Sequence, residues 1–340
     1  MKHFTARLFS ILLLCATICC VAQTQPLKRP QAPIIRRVFV GKTPYLVMDD
    51  IAKFYGFAKK QDKKNYTYSS KYTTFKLAAD SREATLSSVN LTLAFAPTVV
   101  KGLFAISQAD FNCYLEPILR PQLMPKRNVM RIVIDPGHGG KDPGCKGGTT
   151  FEKNINLIIA TRLAQLLAAK GYTVAMTRTT DTYLTLKQRV NLATRFKPDL
   201  FISLHCNAVD STTVRGIEVY CATPQNTPAS DSKVVSTRLC KANSYDKQNA
   251  YLAYQLQKQL VNLLKVPDRG VKHKRYAVIT DMSTPCVLIE MGFLTNPTDR
   301  ALLNTPAHQL KLATAVANAV DTYKAVLAPQ KPVLTMQIKR

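Results

Sequence analysis

The chain has 340 residues, of which 46% are hydrophobic and 20% are charged, a composition typical of a folded globular protein and not of a disordered one. At roughly 150 residues per domain, this length favours two domains. The formal net charge of +26 favours a polyanionic partner: nucleic acid, anionic lipid or an acidic polymer such as a cell wall.

The N-terminus has the layout of a secretory signal peptide. Lys2 and Arg7 precede an apolar run from Leu8 to about Ile18, and small residues lead to a cleavage position after Ala22. This run is short for a transmembrane helix. We therefore expect residues 1–22 to be removed and the protein to be exported, to the periplasm or the extracellular cell envelope. Export argues against nucleic acid as the partner and favours contact with an anionic envelope surface.

The cysteines outside the signal are widely spaced, form no CxxC pair and fall partly in apolar, strand-like runs; they are Cys113, Cys145, Cys206, Cys221, Cys240 and Cys286. An even number in an exported protein permits disulfides. The spacing nevertheless favours mostly buried free thiols with at most one or two bridges. Cys19 and Cys20, inside the signal, leave lipid anchoring open.

Residues 23–34 are rich in Pro and Gln and predict a flexible lead, and residues 35–118 predict a small α+β accessory domain. Its expected elements are two strands around a turn at Gly41 and Lys42, a helix that starts at Asp49, a charged turn at 59–64, strands within 65–78 and 82–95, and a helix over 107–119. No set of acidic, His or Cys residues there suggests chemistry. This unit is basic, so both a structural spacer and an attachment to an anionic surface stay open.

A Pro-containing linker at 119–128 leads to a second predicted domain at 129–326, followed by a flexible tail at 327–340. Strands and helices alternate in this domain, which is typical of an α/β sheet. The expected strands are 130–135, 172–178, 199–206, 216–221 and 286–291. The expected helices are 152–171, which ends at Gly171, then 184–196, 249–265 and 306–326.

The stretch RIVIDPGHGGKDPG, residues 131–144, follows a strand with a glycine-rich loop. A phosphate-binding P-loop would need Gly where Asp135 stands, and Ser or Thr where Asp142 follows Lys141. Both aspartates would place negative charge against a phosphate. The dinucleotide pattern GxGxxG is also incomplete. The loop therefore argues against phosphate binding.

A metal site explains the loop better. His138 and His205 both follow apolar runs, so both are expected at carboxyl ends of core strands, the edge where α/β sheets bind ligands. A catalytic zinc takes three protein ligands and a water, and Glu152 starts the helix after the loop, within reach of His138. Glu290 stands within the apolar run CVLIEMGFL, where a buried carboxylate needs a cationic partner or a role at the metal site.

Seven segments, in order, resemble zinc-dependent N-acetylmuramoyl-L-alanine amidases of the family-3 type over about residues 130–325. They are IDPGHGGKDPG, FEKNINLIIATRLAQLL, TRTTDTYLTLKQRVNLA, DLFISLHCNA, GIEVY, RGVK and VLIEMGFLTN. The resemblance implies an α/β fold with a central, mostly parallel sheet flanked by helices. It also implies hydrolysis of the amide between N-acetylmuramic acid and the L-alanine of the peptidoglycan stem peptide, in wall remodelling or cell separation. Residues 35–118 resemble copper-amine-oxidase-like N-terminal modules.

The resemblance also implies roles for individual residues. His138, Glu152 and His205 would hold one Zn²⁺ per chain, and Glu290 would be the catalytic carboxylate. Asn207 is near the site in sequence and is expected to orient a substrate amide. The other matching residues are expected to shape the site: Gly292 and Asn296 as loop residues, Arg178 and Arg189 as structural ion-pair formers.

Segment 223–248 is longer than the connection that the shortest family members have between the GIEVY strand and the next helix. In some relatives an inserted helix here covers the zinc until a partner protein removes it. This insert is short for that purpose, so autoinhibition and a protein activator stay open. Asp231 or Asp246 could approach the metal, but a surface excursion is the favoured interpretation.

Two other functions compete with the amidase. One is a thiol hydrolase that uses Cys206, although adjacent strand residues such as His205 and Cys206 point to opposite faces and cannot easily act as a pair. The other is a peptidoglycan-binding protein that keeps the amidase scaffold without catalysis.

Overall fold

A computed structural model describes residues 34–329 of the chain. The predicted signal peptide with Cys19 and Cys20, nearly all of the predicted lead and most of the predicted tail lie outside the described residues. Within residues 34–329, no helix is both long enough and apolar enough to cross a bilayer.

Short strands and short helices make up the N-terminal part, residues 34–128. In chain order they are β1 (Arg37–Val40), β2 (Thr43–Val47), α1 (Met48–Tyr55), β3 (Ala58–Asp62), β4 (Asn65–Ser69), β5 (Thr74–Ala78), β6 (Glu83–Leu86), β7 (Val89–Thr92), β8 (Thr98–Val100), β9 (Leu103–Ser107), α2 (Gln108–Asp110), a π-helical turn (Phe111–Leu115), α3 (Glu116–Leu119) and a 3₁₀ turn (Pro121–Leu123).

Longer strands and helices alternate in residues 129–329. They are β10 (Arg131–Pro136), β11 (Lys146–Gly147), β12 (Thr150–Phe151), α4 (Glu152–Ala169), β13 (Thr173–Met176), α5 (Leu186–Phe196), β14 (Leu200–Asn207), β15 (Ile217–Ala222), β16 (Thr227–Pro228), β17 (Val235–Ser236), a 3₁₀ turn (Lys241–Tyr245), α6 (Asp246–Leu264), β18 (Asp268–Lys274), α7 (Ala277–Thr280), β19 (Cys286–Phe293), α8 (Pro297–Leu303) and α9 (Pro306–Leu327).

One mixed sheet crosses both parts in the order β13-β10-β14-β19-β15-β18-β7-β6-β5-β4-β3. Within the C-terminal part only the β15–β19 pair is antiparallel among the neighbouring pairs of this sheet, so the central sheet is mostly parallel. The predicted α/β class with a mostly parallel central sheet is confirmed. The remaining N-terminal strands form a separate sheet in the order β1-β2-β9-β8.

Alternation along the central strands sends apolar side chains to both faces. Ile132 and Ile134 of β10 join the core beneath α4, α6 and α9, whereas Val133 joins a second cluster that includes Ala193 of α5 and Val278 of α7. Helices thus cover both faces, as an apolar parallel sheet requires. The carboxyl ends of β10 and β14 are left at one edge, between these layers.

Two N-terminal expectations were wrong. The charged stretch 59–64, expected as a turn, contains the edge strand β3, because its backbone pairs with β4 from Lys59 to Asp62 while its side chains stay exposed. Lysines on an edge strand also oppose pairing with other chains. The helix expected to start at Asp49 begins at Met48, and Val47 at its N-cap makes no side-chain cap hydrogen bond.

The large sheet combines strands from both sides of the predicted linker, and thus from both expected domains. β7 pairs with β18 in parallel through Leu91 and Val271, and the described residues 34–329 belong to a single compact unit. The division into an accessory domain and a catalytic domain stays a prediction. The predicted cysteine state agrees with the structure, where all six cysteines of the described chain are free thiols.

Candidate metal and catalytic site

Three side chains that can bind a metal converge at the carboxyl edge of the central sheet. His138 follows β10, Glu152 is the first residue of α4, and His205 lies near the end of β14. One ligand atom from each lies within 4.8 Å of the others. Oε1 of Glu152 is 3.2 Å from Nε2 of His138 and 2.9 Å from Nδ1 of His205. The structure thus brings together the three residues that the sequence predicted as ligands.

Strand register explains this convergence. β10 and β14 are parallel neighbours, with Ile134 opposite Ile202 and Pro136 opposite Leu204, so their carboxyl ends reach the same edge. Gly137 allows the close approach of the two segments, because a Cβ atom there would lie 2.2 Å from the His205 ring. The tight packing of this loop against β14 therefore requires glycine at position 137.

Two buried arginines hold the loop that carries His138. Arg189 forms an ion pair with Asp135 at 2.9 Å and also donates to the carbonyl oxygen of His138 at 2.6 Å. This second contact holds His138 in its left-handed backbone conformation, with a φ of 62°. The sequence prediction for Arg189 as a structural ion-pair former agrees with this geometry.

Arg178 acts differently from the prediction. It forms no ion pair among the described residues, and its guanidinium instead donates to the carbonyl oxygens of Pro136, Gly137 and Lys153 at 2.8 to 2.9 Å. Burial lowers the pKa of Arg178, with the Arg189 charge acting in the same direction. Since guanidinium has five donors, one side chain can tie the glycine loop to the first turn of α4.

Glu152 is the buried centre of the site and is only 3% exposed. Burial alone would raise the pKa of its carboxyl, but the two imidazoles outweigh burial and hold the pKa below its usual range. The backbone amides of Cys145 and Cys206 donate to it at 2.9 and 3.0 Å. Glu152 is thus a fixed anion at the point where the imidazole nitrogens meet.

His138 is oriented from its other ring nitrogen. Nδ1 lies 2.8 Å from Oδ2 of Asp142, which leaves Nε2 directed at Glu152. Burial lowers the pKa of His138, but Glu152 and Asp142 together outweigh burial and raise it. A carboxylate behind a ligating imidazole is the usual way in which proteins fix ring orientation at a metal.

Glu290 lies beside the three ligands without a partner for one of its oxygens. It stands opposite His205 in the β14–β19 pair and opposite Glu218 in the β15–β19 pair. The side chain is 7% exposed, and its Oε2 has no hydrogen-bond partner within the described chain. Burial is the main cause that raises its pKa well above the usual range, and repulsion from Glu152 and then Glu218 adds to it. Such a carboxyl is suited to accept and release a proton.

A charged network next to Glu290 was missed by the sequence analysis. Glu218 on β15 accepts hydrogen bonds from Arg269 and Lys272 of β18 and from Tyr220. Burial would raise the pKa of Glu218, but these donors, Lys272 foremost, hold it below its usual range. The signal was present in the segments GIEVY and RGVK, whose charges interrupt strand-like runs. The strand β18 itself was not predicted.

The side chains of the remaining named residues do not belong to the metal-binding group. Asn207 ends β14, and its Oδ1 accepts from the amide of Ala208 at 2.8 Å. Cys206 is buried on the other face of β14, 3.6 Å from Oδ1 of Asn156, and burial raises the pKa of its thiol well above the usual value. Asp231 pairs with Lys274 at 2.9 Å.

Asp246 accepts from Asn243 at 3.0 Å, and neither Asp246 nor Asp231 belongs to the metal-binding group that the described residues form. Segment 223–248 contains two-residue strands, a 3₁₀ turn and the first residues of α6. No helix inserted over the site occurs in this described segment.

Comparison with known proteins agrees with this geometry. Residues 132–322 match the family model described as N-acetylmuramoyl-L-alanine amidase. This match spans more than half of the chain. The chain belongs to this family. Its enzyme class is therefore that of a hydrolase which acts on the amide between N-acetylmuramic acid and L-alanine in peptidoglycan.

Individual relatives cover the same region. The chain is 35% identical over 193 residues to the uncharacterized protein YqiI of Bacillus subtilis, covering 56% of this chain and 84% of that protein. It is 36% identical over 192 residues to the amidase LytC of the same organism, covering 56% of this chain and 35% of LytC. A crystal structure of an N-acetylmuramoyl-L-alanine amidase from Clostridium difficile 630 is 33% identical, with a TM-score of 0.50, and covers 58% of this chain and 97% of that one.

Replacing Gly137 tests the close packing of the amidase site. In Gly137→Ala the new Cβ would overlap the His205 ring, so the ring must move away from Glu152. We expect the affinity for a divalent metal to fall by about 10- to 100-fold, the range seen when support for a ligand is lost. Competition with a chromogenic chelator measures this affinity.

Gly171→Ala is the matched control, because nothing lies within 4 Å of a Cβ there and only the backbone strain of a φ of 83° is added. The control should lose some stability and keep its metal affinity. Equal metal affinity in Gly137→Ala and the wild type would contradict the role of this close contact.

Proposed function

We propose that the chain is a zinc-dependent amidase in which His138, Glu152 and His205 hold one Zn²⁺ and Glu290 is the catalytic carboxylate. The supporting observation is the convergence of three ligand atoms within 4.8 Å, beside a buried carboxyl that has an unpaired oxygen. Two imidazoles and one carboxylate are a known ligand set for catalytic zinc.

The dimensions of this group fit zinc. Zinc–nitrogen and zinc–oxygen bonds of about 2.0–2.2 Å in a tetrahedron separate neighbouring ligand atoms by roughly 3.4 Å. The separations from Oε1 of Glu152 to the two imidazoles, 3.2 and 2.9 Å, are close to that value. Zn²⁺ at this point would supply Lewis acidity, which polarises a carbonyl and lowers the pKa of a bound water from 15.7 to about 7.

Glu290 would move the proton. With Zn²⁺ bound, the positive charge would counter the repulsion from Glu152 and Glu218 and favour the ionised form of Glu290, which could then take the proton of the attacking water and deliver it to the departing nitrogen of L-alanine. The Arg189 and Arg178 contacts keep His138 and the first turn of α4 in place during these steps. We also propose that Asn207 orients a substrate amide. Its Oδ1 already accepts a hydrogen bond from the backbone amide of Ala208, so its side-chain nitrogen is the group that would contact the substrate.

The substrate agrees with the charge of the protein. Peptidoglycan lies outside the cell membrane, and the predicted signal peptide would take the chain to the periplasm or the extracellular envelope. A net charge of +26 would favour contact with anionic envelope polymers.

The thiol-hydrolase alternative is disfavoured by the surroundings of Cys206. Its sulfur lies on the opposite face of β14 from His205, and its raised pKa opposes thiolate formation. The alternative of a binding protein without catalysis is disfavoured by Glu290. Burying a carboxyl group beside the ligands costs folding free energy, and binding of peptidoglycan alone does not require a carboxyl there.

Histidine replacements test the metal assignment. His138→Ala removes one of three proposed ligands, so we expect zinc to fall well below one per chain after dialysis. His273→Ala is the control. His273 is also buried, but it stacks on Tyr114 at 4.0 Å, away from the three ligands. Elemental analysis should find about one zinc per chain in this control, and full zinc in His138→Ala would refute the assignment.

Replacing Glu290 separates its chemistry from metal binding. In Glu290→Gln we expect kcat to fall by about 10²–10⁴, the usual contribution of a general acid–base group, while zinc content stays unchanged. Turnover of purified peptidoglycan provides the measurement. An unchanged kcat would show that another group moves the proton.

The same variant has a second expected property. Because the pKa of Glu290 is raised in the folded, metal-free protein, that protein binds more protons than the unfolded chain at pH values above the ordinary glutamate pKa of about 4.3. The free energy of unfolding therefore falls as the pH rises above that value. We therefore expect metal-free Glu290→Gln to melt at a higher temperature than metal-free wild type at pH 7, with the difference vanishing near pH 4. A lower melting temperature at pH 7 would contradict the assigned environment of Glu290.

Product analysis identifies the bond. Mass spectrometry of digested peptidoglycan should detect free stem peptides that begin with L-alanine, and N-acetylmuramic acid with an intact lactyl group. Cleaved glycan without free L-alanine termini would overturn the proposed reaction.

A further inference from the structure

A polar cleft of about 450 Å³ lies at one end of the N-terminal strands and is lined by residues 70–74, 76, 85, 87 and 88. The turn that joins β4 to β5 and the turn that joins β6 to β7 enclose it, and the exposed face of β5 and β6 forms its floor. Seven of its nine lining residues carry a hydroxyl group, and the other two are lysines. We refer to it as the hydroxyl cleft.

Strand register directs polar side chains to the floor of the hydroxyl cleft. Phe75 and Leu77 of β5 are buried in the core, so Lys76 between them is on the opposite, exposed face, where it stands opposite Thr85 of β6. β5 lies five strand positions from β19, which carries Glu290, or about 24 Å at 4.8 Å per strand. The cleft is therefore separate from the proposed catalytic site.

The charged side chains that line the hydroxyl cleft are all positive. Lys71 and Lys76 are exposed, neither forms an ion pair within residues 34–329, and no carboxylate is among the lining residues. By contrast Lys64, at the opposite end of β4, pairs with Asp80 at 3.0 Å. A ligand that neutralises the charge of this cleft is an anion.

The other groups in the hydroxyl cleft suit a sugar. Tyr72 is 80% exposed, and the amine of Lys71 lies 4.7 Å from the centre of its ring. Oγ of Ser70 accepts from the backbone amides of Tyr72 and Thr73 at 3.2 Å, which shapes the turn that carries the ring. Each hydroxyl can both donate and accept a hydrogen bond, as sugar hydroxyls do. No aliphatic side chain lines the cleft, so it has no surface for the chains of a lipid.

The turn between β6 and β7 has a strained backbone at the hydroxyl cleft. Ser87 and Ser88 form a two-residue turn, with φ angles of 47° and 71°. Such turns strongly prefer Asn-Gly, because a side chain other than that of Asn or Asp opposes a positive φ. Strained residues of this kind cluster at functional sites. Ser88 lines the cleft, so it offers a ligand a hydroxyl group that glycine would not have.

We propose that the hydroxyl cleft binds an acidic sugar unit of a polysaccharide. Lys71 and Lys76 would pair with the acid groups, Ser88 would hydrogen-bond the sugar, and the ring of Tyr72 would pack against it. The proposal does not depend on the amidase function, because the cleft lies outside residues 132–322. Binding there would hold the chain on the polymer without occupying the site at Glu290.

The test measures binding to the full chain by isothermal titration calorimetry. The acidic probe is a hexasaccharide of alternating glucuronic acid and N-acetylglucosamine, and the neutral probe is a hexasaccharide of N-acetylglucosamine. We expect wild type to bind the acidic probe about tenfold more tightly, the effect of two exposed ion pairs together. In Lys71→Gln/Lys76→Gln this preference should disappear, with the melting temperature unchanged.

Lys63→Gln/Lys101→Gln is the matched control, because it removes the same two charges from exposed turns outside the hydroxyl cleft. It should keep the wild-type Kd for the acidic probe. An equal loss of affinity in this control would show that net charge and not the cleft attracts the polymer, and would overturn the proposal. Equal affinity of wild type for the two probes would do the same.

Ser88→Gly separates binding from folding. Glycine relieves the strain of the positive φ, so the melting temperature should not fall, whereas loss of the hydroxyl should raise the Kd for the acidic probe by about threefold. An unchanged Kd would refute the contact assigned to Ser88.

Vesicles of phosphatidylglycerol test a lipid headgroup as the source of the anion. We expect wild type and Lys71→Gln/Lys76→Gln to bind these vesicles no differently from Lys63→Gln/Lys101→Gln. A loss of vesicle binding that is confined to Lys71→Gln/Lys76→Gln and as large as its loss of the acidic probe would assign the cleft to a lipid surface and overturn the proposal.

Discussion

The geometry of the site depends on the buried carboxylate of Glu152. Two imidazoles, two backbone amides and the side-chain amide of Asn156 all contact it at 2.9 to 3.2 Å. A buried anion without such partners would cost several kcal/mol, and these contacts together keep it charged. Because these partners come from the loop after β10, from α4 and from β14, the carboxylate also joins three segments that are distant along the chain.

Of three neighbouring carboxyl groups, two have environments that lower the pKa and one has an environment that raises it. Glu152 and Glu218 each have cationic or donor partners that outweigh burial, whereas Glu290, between them in space, has one unpaired oxygen and a raised pKa. The negative charges that stay ionised on either side are part of the reason that Glu290 holds its proton. When neighbouring acids have environments that separate their pKa values, one site can contain both an acid that stays ionised and an acid that exchanges a proton.

The sequence predicted the elements whose signals are local. Apolar runs located β10, β14 and β19, and the position of His138 and His205 after such runs predicted their meeting, because parallel strands end at a common edge. What the sequence could not predict depended on pairing between distant segments. The strand β18 carries four charged residues and a glycine and lacks an apolar run, and its pairing with β15 and β7 makes it a strand.

The exposed edge strand β3 was missed for the same reason, since five exposed residues have no pattern of alternating burial to detect. The role of Arg178 was mistaken because an arginine in a sequence does not indicate whether its partners are carboxylates or backbone carbonyls. Glu218 was missed because its partners, Arg269 and Lys272, lie about fifty residues away.

The two parts of the chain share one hydrophobic core and are also joined within the large sheet. A single residue pair joins β7 to β18, and Asp268 strengthens it by accepting from the backbone amide of Asn90 at 2.8 Å. Gly270 is required there, because a Cβ would lie 2.8 Å from the carbonyl oxygen of Asn90. The strand that receives the N-terminal part thus also carries Arg269 and Lys272, which pair with Glu218 beside Glu290. The N-terminal part therefore pairs with the strand that carries the charges around Glu218, although it contributes no ligand to the metal-binding group.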